Sequence, residues 1–539
     1  MTQLTINFFP PRSILYLCDS NHDLTAVLAC PPDDEPSPLS PAEVRLLDFF
    51  KQGADAGVRL FQFLRYAIEV YGIGYILTRV SDTRENPGVP SFPVLTSLLM
   101  AAVLRVPSLN QLEVLLRRGT FQRLLGERTK KYKGKALFSA DTIVDVLDAI
   151  EVFTLQAALA QIIQRAERNK AFRDDTFGTF ICVAIDGWEP FCSYRRHCDA
   201  CMTRMVKRKV KLAAANASED GIELDEEDLS GDPEERITQY YHRFVVAFLV
   251  APKMDLTLAI EPIRTEAERV AGGEKPGCGD EGEITAALRL LDRLHDTYGC
   301  FIDAFALDGL YPCGPVFEKL TQYHYGATIV TRDVRKDPYR FAESIWQTRD
   351  KPDVVRQDPE TGERVEFYRL NDVDALSSFN GSVDMLKAVV TTESRKKATK
   401  PPCKTTRGRN INIPRKDEGP KVSTWVIALV GKAKRLSNLI ALRIMRARWH
   451  IENTAFHQWV TQWDFDHCYR HTPNAITSVM HIFAMAFNLM QLFFYRRLNK
   501  ARRGRPVNDT VIGCVKEMWL DLGQFEEAVP WELLIADSS

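Results

Sequence analysis

Net charge is almost missing from this chain of 539 residues: 70 Lys and Arg stand against 71 Asp and Glu, a formal charge of −1. That balance excludes a protein that coats a polyanion through bulk charge, although it leaves room for basic patches on one face. No basic n-region precedes the short apolar stretch from Leu4 to Phe9, so no cleavable leader is expected. Nor is there an unbroken apolar run of membrane length. The longest near the C-terminus, Thr477 to Phe494, is interrupted by His481, Asn488 and Gln491, and its apolar residues recur at helical spacing. A buried helix is expected there, and no membrane partner. The twelve cysteines are scattered rather than arranged as a disulfide framework, which suits reduced thiols in a cytoplasmic protein. A P-loop, a nucleophile elbow and a nicotinamide fingerprint are all absent. Gly272-Gly273-Glu274-Lys275 lacks the spacing of a phosphate-cradling loop. No internal repeat or long low-complexity tract is present.

What the chain does have is an ordinary globular composition, 45% hydrophobic and 26% charged, at a length that suits two or three domains. Residues 1–40, rich in proline and acid from Pro31 to Pro38, read as an irregular lead-in. Residues 41–174 read as an all-helical N-terminal domain. Ser139 to Asp141 supply a cap for a helix through Ile143, Val146 and Leu147. Its basic stretch, from Arg117 to Lys135, fits either a solvated surface or contact with DNA phosphates in an end-binding domain.

From residue 175 the period changes. Phe180 to Ile185 form a continuous apolar run ending at Asp186-Gly187, as a fully buried strand would. Tyr240–Ala251 and Leu256–Ile263 read as a strand pair, Ala286–Leu294 as an amphipathic helix, and Phe301–Leu307 as a second buried strand ending at Asp308-Gly309. A short helix at Val316–Tyr323 and a strand at Ala327–Thr331 follow. This order over 175–331 is that of an RNase H-like core, an α/β fold with a mixed sheet flanked by helices. Residues 332–432 read as a β-rich insertion with strands at Val365–Leu370, Leu386–Thr391 and Val422–Val430. Its basic loop, with Lys396, Lys397, Arg407 and Arg409, fits either a solvated loop or one that follows DNA phosphates. Helix returns over 433–498, completing the core, and 499–539 form a C-terminal tail.

Asp-Gly is a common turn, so neither Asp186 nor Asp308 means much alone. Two carboxylates converging at the ends of neighbouring buried strands, however, repel one another unless a cation lies between them. Hard divalent ions with oxygen ligands resolve that conflict, Mg²⁺ first and Mn²⁺ as a substitute. Glu452 is the candidate third ligand. Arg448, four residues earlier, shares its helix face, either as an ordinary surface ion pair or as a grip on a DNA phosphate beside a metal-binding carboxylate.

The ordered set Asp186, Asp308 and Glu452 resembles the DDE triad of insertion-sequence transposases, whose RNase H-like core carries a β-rich insertion before the glutamate. The surrounding text is similar as well: Tyr-Tyr-His-Arg at 240–243, Asp-Glu-Gly-Glu at 280–283, Leu-Asp-Gly-Leu-Tyr at 307–311 and Arg-Trp-His-Ile-Glu-Asn at 448–453. The resemblance covers about residues 175–498. It implies metal-dependent DNA cleavage and strand transfer at the ends of an insertion sequence. It also implies double-stranded terminal inverted repeats and target DNA as partners, a homodimer in the synaptic complex, and DNA contacts by Arg448 and Asn453. Members often carry a tyrosine three positions before the arginine and a lysine seven after the glutamate; Met445 and Trp459 stand there instead. An RNase H-like nuclease and a non-enzymatic DNA-binding relative are the alternatives.

Cys192, His197, Cys198 and Cys201 crowd one loop after the first strand, and the Cys-x2-Cys pair suits tetrahedral Zn²⁺. Adjacent His197 and Cys198 sit poorly on one ion, so a ligand from elsewhere is needed, with His242 a candidate. A loop of free thiols fits the same residues. Zinc there would staple a loop rather than catalyse.

Overall fold

The structure, a computed structural model, describes residues 58–124, 135–207, 236–331, 337–374, 378–392, 420–498 and 511–524. Lys396, Lys397, Arg407 and Arg409 lie outside them, as do the lead-in and most of the expected basic stretch between Arg117 and Lys135.

The N-terminal part is helical: α1 (Arg59–Arg65), α2 (Ile73–Thr78), α3 (Ser91–Leu104), α4 (Leu109–Leu116), α5 (Gly119–Leu124), α6 (Ala140–Ala149) and α7 (Val152–Arg168). Ser139 caps α6 by accepting the Thr142 N–H. The strands are β1 (Cys182–Trp188), β2 (Cys192–Ser193), β3 (Met202–Lys207), β4 (Arg236–Tyr241), β5 (Phe244–Val250) and β6 (Leu256–Pro262). After α8 (Glu266–Ala271) and α9 (Glu283–Tyr298) come β7 (Ala304–Leu307), α10 (Gly314–Gln322), β8 (Gly326–Val330) and α11 (Asp337–Trp346). Then follow β9 (Val354–Gln357), β10 (Arg364–Val373), β11 (Val383–Thr392) and β12 (Lys421–Gly431). Helices α12 (Asn438–Ala447), α13 (His457–Trp463), α14 (Pro473–Leu492) and α15 (Val511–Gln524) close the order.

Nine strands form one mixed sheet in the order β6-β5-β1-β7-β8-β12-β11-β10-β9. β1 is antiparallel to β5 and parallel to β7, and β7 is parallel to β8. The parallel strands are buried along their length, which explains their unbroken apolar text. One expectation gains detail and one is corrected. The strands after residue 350 extend the central sheet, because β12 pairs antiparallel with β8. The expected strand Tyr240–Ala251 is two: β4 joins a separate sheet ordered β2-β4-β3, the chain breaks at His242-Arg243, and only β5 enters the large sheet.

α14 lies between the sheet and the N-terminal helices, packing on β6 on one side and on α3, α6 and α7 on the other. Counted through its π-helical end it is long and apolar enough to cross a membrane, yet nearly all of it is buried inside the protein. Its polar interruptions have local reasons. Asn488 accepts the Thr257 N–H and donates to the Thr257 carbonyl, both at 2.8 Å, and so satisfies the open edge of β6. His481 bonds the Thr477 carbonyl through Nδ1, and burial pushes its pKa down to about 4, keeping the ring neutral.

Candidate functional site

Register puts the two aspartates together. Ile185 pairs with Leu307 across parallel β1 and β7, so Asp186 and Asp308, next in each chain, emerge side by side at the carboxyl ends of adjacent strands. In α/β sheets that is where ligands bind. Asp308 is partly buried, and one of its oxygens accepts the Leu310 N–H at 2.8 Å, which fixes the turn after β7.

Glu452 reaches the same place from the other end of the chain. It lies on a π-helical segment, Ile451–Phe456, between α12 and α13, where the His457 N–H reaches back to the Glu452 carbonyl. The guanidinium of Arg448 joins the groups: its Nη1 is 3.0 Å from Asp186 Oδ2 and 2.8 Å from Glu452 Oε1. The Arg448 side chain is 9% exposed and that of Glu452 49%, so the site opens to solvent on the glutamate side. Burial is the largest influence on the Asp186 carboxyl; with Asp308, Glu452 and Glu283 nearby it outweighs Arg448 and raises the pKa to about 7. The charged form therefore calls for more positive charge than one guanidinium brings. Three carboxylates offer the hard oxygen donors that Mg²⁺ takes.

A fourth carboxylate, not singled out as a ligand or catalytic group from sequence, belongs here. Glu283, the first residue of α9, accepts from Arg243 Nη2 at 2.8 Å and from the Tyr311 hydroxyl at 3.1 Å. It packs so closely on the strand that a Cβ at Gly187 would stand 2.4 Å from its Oε2. Tyr311 is buried, and its hydroxyl is pushed well above its ordinary pKa by burial and then by Glu283 and Asp186, so it stays a proton donor. Asp-Glu-Gly-Glu and Leu-Asp-Gly-Leu-Tyr were the signals in the sequence: their partly buried acid and buried hydroxyl meet beside Asp186.

The neighbours of Glu452 divide. Asn453 is exposed. Trp449, 41% exposed, leans on Trp425 with ring centroids 5.3 Å apart. Met445 and Trp459 are fully buried. Trp459 stacks on Phe465 and meets Trp188 of β1 edge-on, forming an aromatic floor beneath the site. In a regular helix Trp459 would share a face with Glu452; the π-turn between them offsets that alignment, so one faces solvent and the other the core.

The cysteine loop is corrected in part. Cys198, Cys201, His242 and His471 bring one ligand atom each within 4.8 Å of one another, a set that could hold a metal ion. Cys192 instead accepts from Gln239, and exposed His197 stacks on Tyr240 with centroids 4.6 Å apart. Neither belongs to the cluster. Burial lowers the pKa of His242 to about 4 and that of His471 as well, and raises the Cys201 thiol. Among the described residues this is the one group of three or more Cys, His, Asp or Glu ligands so closely drawn together. Asp186, Asp308 and Glu452 spread wider.

The class defined so far is a mixed α/β protein whose nine-stranded sheet gathers acidic residues beside its central parallel pair. In overall structure the chain is similar to a piggyBac transposase in the cryo-EM structure of its synaptic complex with hairpin DNA. The TM-score is 0.36 and the sequence identity 10%, covering 87% of this chain and 80% of that one. No family model matches the sequence, and no curated protein matches it.

Proposed function

We propose that this chain is a DDE-type transposase that cuts DNA at the ends of an insertion sequence and joins those ends to target DNA. The observation that carries this reading is the meeting of Asp186, Asp308 and Glu452, from three distant parts of the chain, with Arg448 between two of them. The order β6-β5-β1-β7-β8, with one antiparallel partner and one parallel partner beside β1, supports reading the core as RNase H-like. The strands from β9 to β12 interrupt that core before the glutamate.

Asp186, Asp308 and Glu452 would hold the divalent ions. When bound, two Mg²⁺ ions supply a charged clamp on a phosphate undergoing in-line displacement, favouring attack by water or a DNA 3′-hydroxyl. The residues of the chain itself do the positioning. Asp186 is held at the strand end by its bond to the Gly187 N–H, and Glu283 with Tyr311 fixes the wall beside it. Arg448 neutralises Asp186 and Glu452, and a phosphate entering on the open side is a third anion within reach of its guanidinium. Two DNA ends must be held together for joining, which a homodimer would provide.

The test is cleavage of DNA carrying the gene's own flanking sequence by purified protein in Mg²⁺ or Mn²⁺. Nicks at inverted repeats and strand-transfer products, lost in Asp186→Ala, are expected. Cutting retained by Asp308→Ala would sink the assignment, and binding without any cutting would point to a non-enzymatic relative.

A further inference from the structure

We propose that Cys198, Cys201, His242 and His471 bind one structural Zn²⁺ that ties the loop after β1 to the segment leading into α14. This rests on different residues from the DNA chemistry above and stands or falls separately.

The distances carry it. Tetrahedral Zn²⁺, with bonds of about 2.3 Å to sulfur and about 2.0 Å to nitrogen, requires edges of about 3.8 Å between sulfurs and about 3.5 Å between sulfur and nitrogen. Here Cys198 Sγ and Cys201 Sγ are 3.7 Å apart. His242 Nε2 lies 3.4 Å from Cys198 Sγ and 3.3 Å from Cys201 Sγ, and His471 Nε2 lies 3.1 Å from Cys201 Sγ. Both histidines thus turn the same ring nitrogen to one point, as ligands do. The turn at 198–201 is closed by two bonds: the Cys201 N–H reaches the Cys198 carbonyl at 3.0 Å, and the Cys198 N–H reaches Cys201 Sγ at 3.3 Å.

The ligands come from three places in the chain. Cys198 and Cys201 join β2 to β3, His242 joins β4 to β5, and His471 precedes the Thr472 that caps α14. His471 is held in place before any ion arrives. Its neighbours Arg470 and Thr472 both bond Asp148 of α6, and Phe191 packs edge-on against its ring at 5.8 Å. Four donors also fill a tetrahedron and leave no open position, the arrangement of a structural rather than a catalytic zinc.

The experiment is metal analysis of the full chain purified without chelator after growth in zinc-supplemented medium, followed by replacement with Co²⁺. About one Zn²⁺ per chain is expected, with the visible bands of tetrahedral cobalt and thiolate-to-cobalt charge transfer after exchange. Occupancy should fall at least about tenfold in His471→Ala and Cys201→Ser, and stay at wild-type level in Cys192→Ser, His197→Ala and the ligand-conserving His471→Cys. Should the alanine or serine variants fail to fold, wild-type stoichiometry and the cobalt spectrum decide. A wild-type chain that neither carries zinc nor takes up cobalt overturns the proposal. So does a metal-free Cys198–Cys201 disulfide, or loss of the ion in Cys192→Ser with retention in His471→Ala.

Discussion

Asp186 and Glu452 face each other across a guanidinium, with Glu452 half open to solvent, while Cys198, Cys201, His242 and His471 close on a single point. The first cluster is made of hard oxygen donors, spread apart, with a fourth carboxylate and a buried tyrosine behind them. The second is made of soft sulfur and imidazole donors at tetrahedral spacing. An open, over-charged set of carboxylates is poorly satisfied until ions and a polyanion arrive, which suits a site of reaction. A closed set satisfied by one ion suits a staple.

Several substitutions would break or sharpen that contrast. Asp186→Ala, Asp308→Ala and Glu452→Ala should each cut Mg²⁺-dependent DNA cleavage by about a thousandfold or more, the loss of several kcal/mol of charge stabilisation, while metal analysis still finds zinc. Chelation should separate the clusters in the opposite sense. Brief EDTA treatment should stop cutting, reversibly on adding Mg²⁺, with the melting temperature unchanged. Stripping zinc after thiol modification should lower that temperature by about 5 °C or more in calorimetry. Gly187→Ala, which drives a methyl against Glu283, should cost about a hundredfold in cleavage with little loss of stability, because a flexible side chain gives way rather than the backbone. The smallest effect is expected for His197→Ala, within about 0.5 kcal/mol in denaturant unfolding, since an exposed ring stacked on Tyr240 carries little.

How much of this could be read from sequence depends on what each feature rests on. β1 and β7 were legible because buried parallel strands are apolar where they pair, and Asp186 and Asp308 were legible as the first charges beyond that paired run. Glu452 was legible as a candidate third ligand but stood out less, since an acid four residues from an arginine is ordinary on any helix. His471 carried no signal: it lies 270 residues from Cys201, and only the fold brings them together. The π-turn after Ile451 was hidden, because periodicity over so short a segment does not distinguish five-residue from four-residue bonding. The break between β4 and β5 was hidden too, as His242-Arg243 contains neither glycine nor proline. That the strands from β9 to β12 extend the central sheet is a fact of edge pairing, which alternation of side chains leaves open.

Asp186, Asp308 and Glu452 are proposed to act together on DNA. The most direct measurement compares wild type and Asp308→Ala in Mg²⁺ on a labelled duplex carrying one inverted repeat, with binding followed in the same samples. Equal binding is expected, with nicking at the repeat boundary by wild type and none by the variant. Equal nicking by both proteins would contradict that joint action.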